Sequence, residues 1–213
     1  MNDGLETAVG DAEPLTALLQ EKGALVVDRV FTGQLPVDAS LGDVELEACT
    51  LRACRWTEHQ LQGATFAECD FTGCNISGVS VRGVSFRECT LTGTKALGVD
   101  WTAAAVSGLA PVPMRWRDCV LDYSTLSMLD LAGWSFTGCS LREVHLAGAG
   151  LRRVELVGCD LSGATFGECD LRGARMIDCV GVELDVRDNR VSGLEVSAGT
   201  AGDLLAPLGV VVC

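Results

Sequence analysis

The chain has 213 residues, 48% of them hydrophobic, and a net charge of −13. That acidity opposes direct nucleic-acid binding, which needs Lys and Arg against phosphates. No apolar run reaches the ~18 residues of a membrane-spanning helix, and Met1-Asn2-Asp3-Gly4 lacks the basic and apolar segments of a secretory signal. A cytoplasmic protein with reduced thiols is therefore expected.

Residues 1–23 form an N-terminal cap or tail. Within them Ala12–Gly23 reads as a short helix started by Pro14 and stopped by Gly23, with Leu15, Leu18 and Leu19 free to cover whatever follows. A disordered tail is the alternative, and both readings stay open.

From Ala24 a five-residue period takes over. Cys49, Cys54, Cys69, Cys74, Cys89, Cys119, Cys139, Cys159, Cys169 and Cys179 are separated only by multiples of five. Each follower had roughly a one-in-five chance of falling in phase, so the period is built in and precedes any assignment of elements. Two residues after each such position stands a bulky centre, from Leu46, Leu51, Trp56 and Leu61 to Leu161, Phe166, Leu171 and Met176. Glycine often follows two residues later. In extended chain alternate residues share a face, and glycine supplies the positive φ of a tight corner. One pentad cannot bury its own centre, but stacked pentads can. Cys49, Cys69 and Cys89 are twenty apart, as are Cys119, Cys139, Cys159 and Cys179, which suits a coil of four sides. Inward cysteines are expected as small apolar fillers.

The pentads "AECDFTGCNI" (Ala67–Ile76), "GCDLSGATF" (Gly158–Phe166) and "GECDLRGARM" (Gly167–Met176) resemble the pentapeptide-repeat family over about residues 24–197. The resemblance implies an all-β fold, a right-handed quadrilateral parallel β-helix, here with a short C-terminal helix. Three local stretches, "DRVFTG" (Asp28–Gly33), "KALGVDW" (Lys95–Trp101) and "DLLAPLGVVV" (Asp203–Val212), are similar to its topoisomerase-poison resistance branch, which includes Qnr, MfpA and albicidin-immunity proteins. That branch implies a homodimer that imitates DNA and binds DNA gyrase, with topoisomerase IV as a second target. The alternative is a non-catalytic structural or adaptor solenoid that binds an unrelated protein.

Continuing along the chain, Pro36 occupies a centre, and a proline cannot donate to a ladder, so an irregular turn is expected there. His59 falls at an inward small position. The pattern breaks at residues 102–115, between Trp101 and Trp116, which stay in phase. Removing ten residues would align Cys89 with Cys119, so a protruding loop is expected at Ser107, Gly108, Leu109, Ala110, Pro111, Val112 and Pro113. Gly181 at a centre and Asn189 at an inward position mark fraying. Residues 198–213 are expected to hold a helix near Asp203, with Leu204, Leu205, Leu208, Val210, Val211 and Val212 as a dimer interface. The residues alone fit equally a cap folded on its own last coil.

No catalytic constellation is present: His59, His145 and Tyr123 stand apart, and no Ser or Cys lies in a nucleophile motif. No enzyme, cofactor, metal or membrane contact is expected. Outward acids form the pool for partner contacts: Glu68, Asp70, Glu88, Asp118, Asp122, Asp130, Asp160, Glu168, Asp170 and Asp178. Arg142, Arg152, Arg153 and Arg172 share outward positions as solvated or paired cations. About eight coils would span ~40 Å at the strand spacing, where DNA carries ~24 charges. Residues 31–200 carry a net −8, about a third of that density, so the acids would have to gather to imitate DNA.

Overall fold

Residues twenty apart pair their backbones. Thr50 pairs with Asp70 and Asp70 with Thr90, both in parallel. The computed structural model describes residues 12–105, 113–205 and 208–210, and these wind into a four-sided parallel β-solenoid with one short α-helix, Ala198–Leu205, at its end. Side 1 carries Val26, Leu46, Phe66 and Phe86 and, beyond the break, Leu131, Leu151 and Leu171. Side 2 carries Phe31, Leu51, Phe71, Leu91, Trp116, Phe136, Leu156 and Met176. Sides 3 and 4 lie opposite them. Side 2 is a ladder of ten strands, one of which, Glu13–Pro14, comes from the N-terminal segment; the other nine make nine coils rather than eight. A four-stranded sheet covers side 1 before the break.

The centres fill the bore. Leu51, Leu61, Phe66, Ile76, Leu91, Trp116 and Leu161 are all fully buried, each contributing about 1.5–3 kcal/mol on leaving water. From Trp56 to Phe136 the aromatic rings touch in an unbroken series, and Trp101 meets Trp116 edge-on at 5.2 Å across the break.

The cysteines do more than fill. Two kinds of corner occur around the coil. In the first, the corner closes as a β-turn, as where Val44 N–H donates to Leu41 O at 2.9 Å and Ala164 N–H to Leu161 O at 2.9 Å. In the second no such bond forms, and the next inward residue is a cysteine. Its thiol donates back to the carbonyl two residues earlier and to one in the coil below: Cys74 Sγ reaches Thr72 O at 3.7 Å and Leu51 O at 3.2 Å. Thr94 bonds the same way from its hydroxyl, to Thr92 O at 3.3 Å and Phe71 O at 3.4 Å, while Ser124, at a corner closed by its own N–H to Leu121 O, donates only to the coil below, to Ala96 O at 2.8 Å. A buried carbonyl without a donor is costly, which is why the small inward residue at open corners is one that can donate.

The break is shorter in register than the cysteine spacing predicts. Thr90 pairs with Arg115 and Lys95 bridges Val120, an offset of twenty-five, so five residues are extra and not ten. Cys119 therefore stacks on Thr94, whose N–H lies 3.4 Å from its sulfur, and not on Cys89. The expectation failed because the phase of the pentads is blind to how many sides an excursion replaces. Of the expected loop, Ser107–Val112 lie outside the described residues; Pro113 is exposed.

His59 is also displaced. Its side chain is 72% exposed and sits 3.7 Å from Glu58. Gln60 turns inward in its place, donating to Pro36 O at 2.7 Å and accepting from Thr57 N–H at 2.9 Å. The irregular Pro36 turn is present, with a register shift between Thr32 and Gln34, and its carbonyl is what draws Gln60 in. At the far end Asn189 is half-buried and useful: Oδ1 accepts from Cys169 N–H and Nδ2 donates to Asp185 O, both at 2.8 Å. Gly181 stands where the chain passes so near Ser162 that a Cβ would lie 2.6 Å from its Cα.

Both ends are capped. Leu15–Gln20 forms a 3-10 helix after Pro14, burying Leu15 and Leu18 completely against the first coil. The C-terminal helix starts at Ala198, five residues before Asp203, because Ser197 Oγ and Thr200 Oγ1 meet at 3.1 Å and Thr200 Oγ1 donates to Cys179 O at 3.3 Å, seating its first turn on the last coil.

Candidate partner-binding surface

The solenoid has four flat sides and four ridges where its corners stack. Corner residues take the left-handed backbone, which costs an L-residue roughly 1–2 kcal/mol. Fourteen non-glycine residues do so, and nine of them are acids: Asp28, Asp43, Glu58, Glu68, Glu88, Asp118, Glu143, Glu168 and Asp178. Arg153 is the only base among those fourteen. Asp38, Glu183 and Asp188 occupy the same pentad position. All twelve are exposed. Among the described residues only Glu58 has an ion-pair partner, His59.

The flat sides are the reverse. In the later coils most of their acids are held by cations: Asp130 by Arg152 at 3.6 Å, Asp160 by Arg142 at 4.0 Å, Asp170 by Arg172 at 2.7 Å, and Glu155 and Glu195 by Arg175 at 3.2 and 3.1 Å. The Arg172 guanidinium holds the Asp170 carboxyl down at about 2. Bonds from Ser162, with a smaller pull from Arg142, lower Asp160. Asp122 accepts from Ser140 Oγ at 2.6 Å and from Arg142 N–H at 3.1 Å. Between residues 24 and 197 the sides hold more basic than acidic residues, so the whole negative charge of the coils resides on the ridges.

This arrangement divides the ten acids expected from sequence. Glu68, Glu88, Asp118, Glu168 and Asp178 stand on ridges and are free of ion pairs among the described residues; Asp122, Asp130, Asp160 and Asp170 are engaged on the sides; Asp70 is on side 2 and exposed. They do not share one side. Asp28, Asp38, Asp43, Glu58, Glu143, Glu183 and Asp188 were missed, although one signal marks them: they stand at the pentad position where glycine otherwise recurs. Arg142, Arg152 and Arg172 are paired as expected, and Arg153 is a ridge residue.

At the C-terminus Leu204 is buried in the core of its own chain and Leu205 is half-buried, while Leu208 and Val210 are 42% and 46% exposed. Val211 and Val212 lie outside the described residues. The thiols of Cys119, Cys139, Cys159 and Cys179 form one column, and burial pushes the Cys89 thiol up to about 11. No group of three or more potential metal ligands converges among the described residues.

Residues 45–83 and 139–178 match the family of pentapeptide repeats, in eight copies. Among solved structures the chain is similar to full-length QnrB1, a plasmid-mediated fluoroquinolone resistance protein: 17% identity, 87% of this chain and 99% of that one covered, TM-score 0.49. It is also similar to HetL, a pentapeptide repeat protein involved in heterocyst differentiation regulation from the cyanobacterium Nostoc: 17% identity, 80% and 84% covered, TM-score 0.48. No curated protein sequence matches significantly. Function is accordingly argued from the surface and not from these overlays.

Proposed function

We propose, from the premise that this chain is a pentapeptide-repeat solenoid, that it occupies the DNA-binding surface of a type II topoisomerase and protects the enzyme from a poison. DNA gyrase is the expected partner and topoisomerase IV the second. The observation that carries this reading is the concentration of free carboxylates on ridges that run the length of the rod. DNA presents its charge likewise, as rows along an axis. Nine coils span ~43 Å at ~4.8 Å each, a length over which DNA carries ~25 charges at one per ~1.7 Å. Twelve ridge acids against Arg153 supply nearly half of that, more than the third given by net charge alone, because the sides, whose basic residues outnumber their acids, are left out of the ridge count. The stretches Asp28–Gly33, Lys95–Trp101 and Asp203–Val212 support the same branch. Leu208 and Val210, exposed at the end of the rod, are the residues through which two copies would join, doubling its length about a two-fold axis.

The test is gyrase supercoiling with and without a topoisomerase poison while this protein is titrated. Rescue in the presence of poison is the expected result. Inhibition without rescue leaves DNA imitation and removes protection. No effect on the gyrase of the same genome moves the reading to an adaptor solenoid.

A further inference from the structure

Tyr123 and Met128 break the pattern of the ridges. They stand at consecutive corners of one coil, on the two edges of side 4, with φ of 62° and 61°. The other twelve non-glycine corners of this conformation carry Asp, Glu, Ala or one Arg. Both side chains point into solvent, 63% and 80% exposed, and neither joins the core. Glycine would hold either corner at lower cost, so these side chains serve nothing inside the molecule. Met128 lies along its ridge over Gly148, where a Cβ would come within 2.3 Å of its sulfur. A side chain there would push the thioether off the rod.

Side 4 at and above them carries Thr125 and Ser127, then His145 and Ala147, then Thr165 and Gly167, with no acid among them. Along the two bounding ridges the acids return above and below. On the Tyr123 ridge are Asp38, Glu58, Glu143 and Glu183; on the Met128 ridge are Asp43, Glu168 and Asp188. Exposed Tyr and Met set within a charged rim have the organisation of a protein–protein interface, where aromatic residues and Met are enriched. The opposite wall is unsuited to a cationic partner. Side 2 presents Arg115 and Arg117 on one strand with no ion pair among the described residues, where side 4 presents one such residue, Arg82, two coils before Met128.

We propose that side 4 is the docking surface, with Tyr123 and Met128 as its apolar anchors, and that it takes a cationic protein surface recessed to receive both. Naming that partner as the topoisomerase rests on the reading above. The ridges steer the approach, and the two anchors hold the complex once water is expelled.

The experiment compares the full chain with the Tyr123→Gly/Met128→Gly double variant and with Tyr123→Glu/Met128→Glu, measuring affinity for the DNA gyrase of the same genome at two salt concentrations. Glycine suits both corners, so the first variant keeps its fold, checked by its thermal transition. Its affinity is expected to fall at least fivefold with an unchanged salt dependence, because no charge is lost. The glutamate variant is expected to bind weakly although it is more acidic. A loss below fivefold, or tighter binding by the glutamate variant, overturns the anchors and leaves the topoisomerase reading standing. Failure of the unaltered chain to bind removes that reading and this surface with it.

Discussion

The coils before the break and those after it solve the same stacking problem by different means. Before it, the bore is packed with rings: Phe31, Trp56, Phe66, Phe71, Phe86 and Trp101, with two hydrogen-bonded sheets outside. After it, leucines dominate the bore, extended strands persist on side 2 alone, and Arg–carboxylate pairs cross from coil to coil on the outside. The ion pairs add little each at an exposed surface. Their effect is on charge: they neutralise the sides of the later coils and leave the ridges as the acidic feature of the whole rod. The two regions meet at Trp101 and Trp116.

That junction is the place to break the comparison. Trp116→Ala should cost about 3–5 kcal/mol and separate the two regions, so that near-ultraviolet and far-ultraviolet signals no longer report one denaturant transition; coincident signals and a loss under about 1 kcal/mol would show that the rings do not couple them. Trp116→Phe should be far milder, because the buried indole N–H has no partner and its removal costs no hydrogen bond. Next in size is Gly181→Ala. Its Cβ would meet Ser162 Cα at 2.6 Å and N at 2.7 Å, both backbone, at a φ of 67°, so a loss of about 2–3 kcal/mol and fraying of the last coil in hydrogen exchange are expected. Gly138→Ala has a comparable φ of 63° but meets a movable Asp118 oxygen at 2.6 Å, and should lose less.

A smaller effect sharpens the account of corners. Cys139→Ala removes the thiol that donates to Thr137 O at 3.5 Å and should cost about 1–2 kcal/mol. Cys139→Ser keeps a donor, as Ser124 does, and should cost less; equal losses would reduce the thiols to fillers. The smallest effect lies in the ion pairs of the later coils. Asp170 is held near 2 by Arg172, below the ordinary 3.8. Its folded form binds the proton more weakly than its unfolded form, so its contribution is present above about pH 4 and lost as the pH falls toward 2. Arg172→Ala should flatten that acid limb slightly in an unfolding titration while leaving stability at pH 7 almost unchanged.

The sequence by itself determined the period, the identity of the bulky centres, the inward cysteines and the excursion between Trp101 and Trp116. These follow from local chemistry: alternation in extended chain, glycine at left-handed corners, and the need of every pentad for a neighbour. Register across the excursion is decided by which backbone groups find partners at ~4.8 Å, and no count of residues within the loop reports it; Cys119 stacks on Thr94 for that reason. His59 and Gln60 exchanged places because a carbonyl on another coil, that of Pro36, needed a donor. The ten acids looked equivalent along the chain because position in a pentad says which way a residue points and not which cation lies one coil away. Only stacking brings Arg152 to Asp130 and Arg175 to Glu155, twenty or more residues apart, and so separates the neutralised sides from the free ridges on which Tyr123 and Met128 stand out.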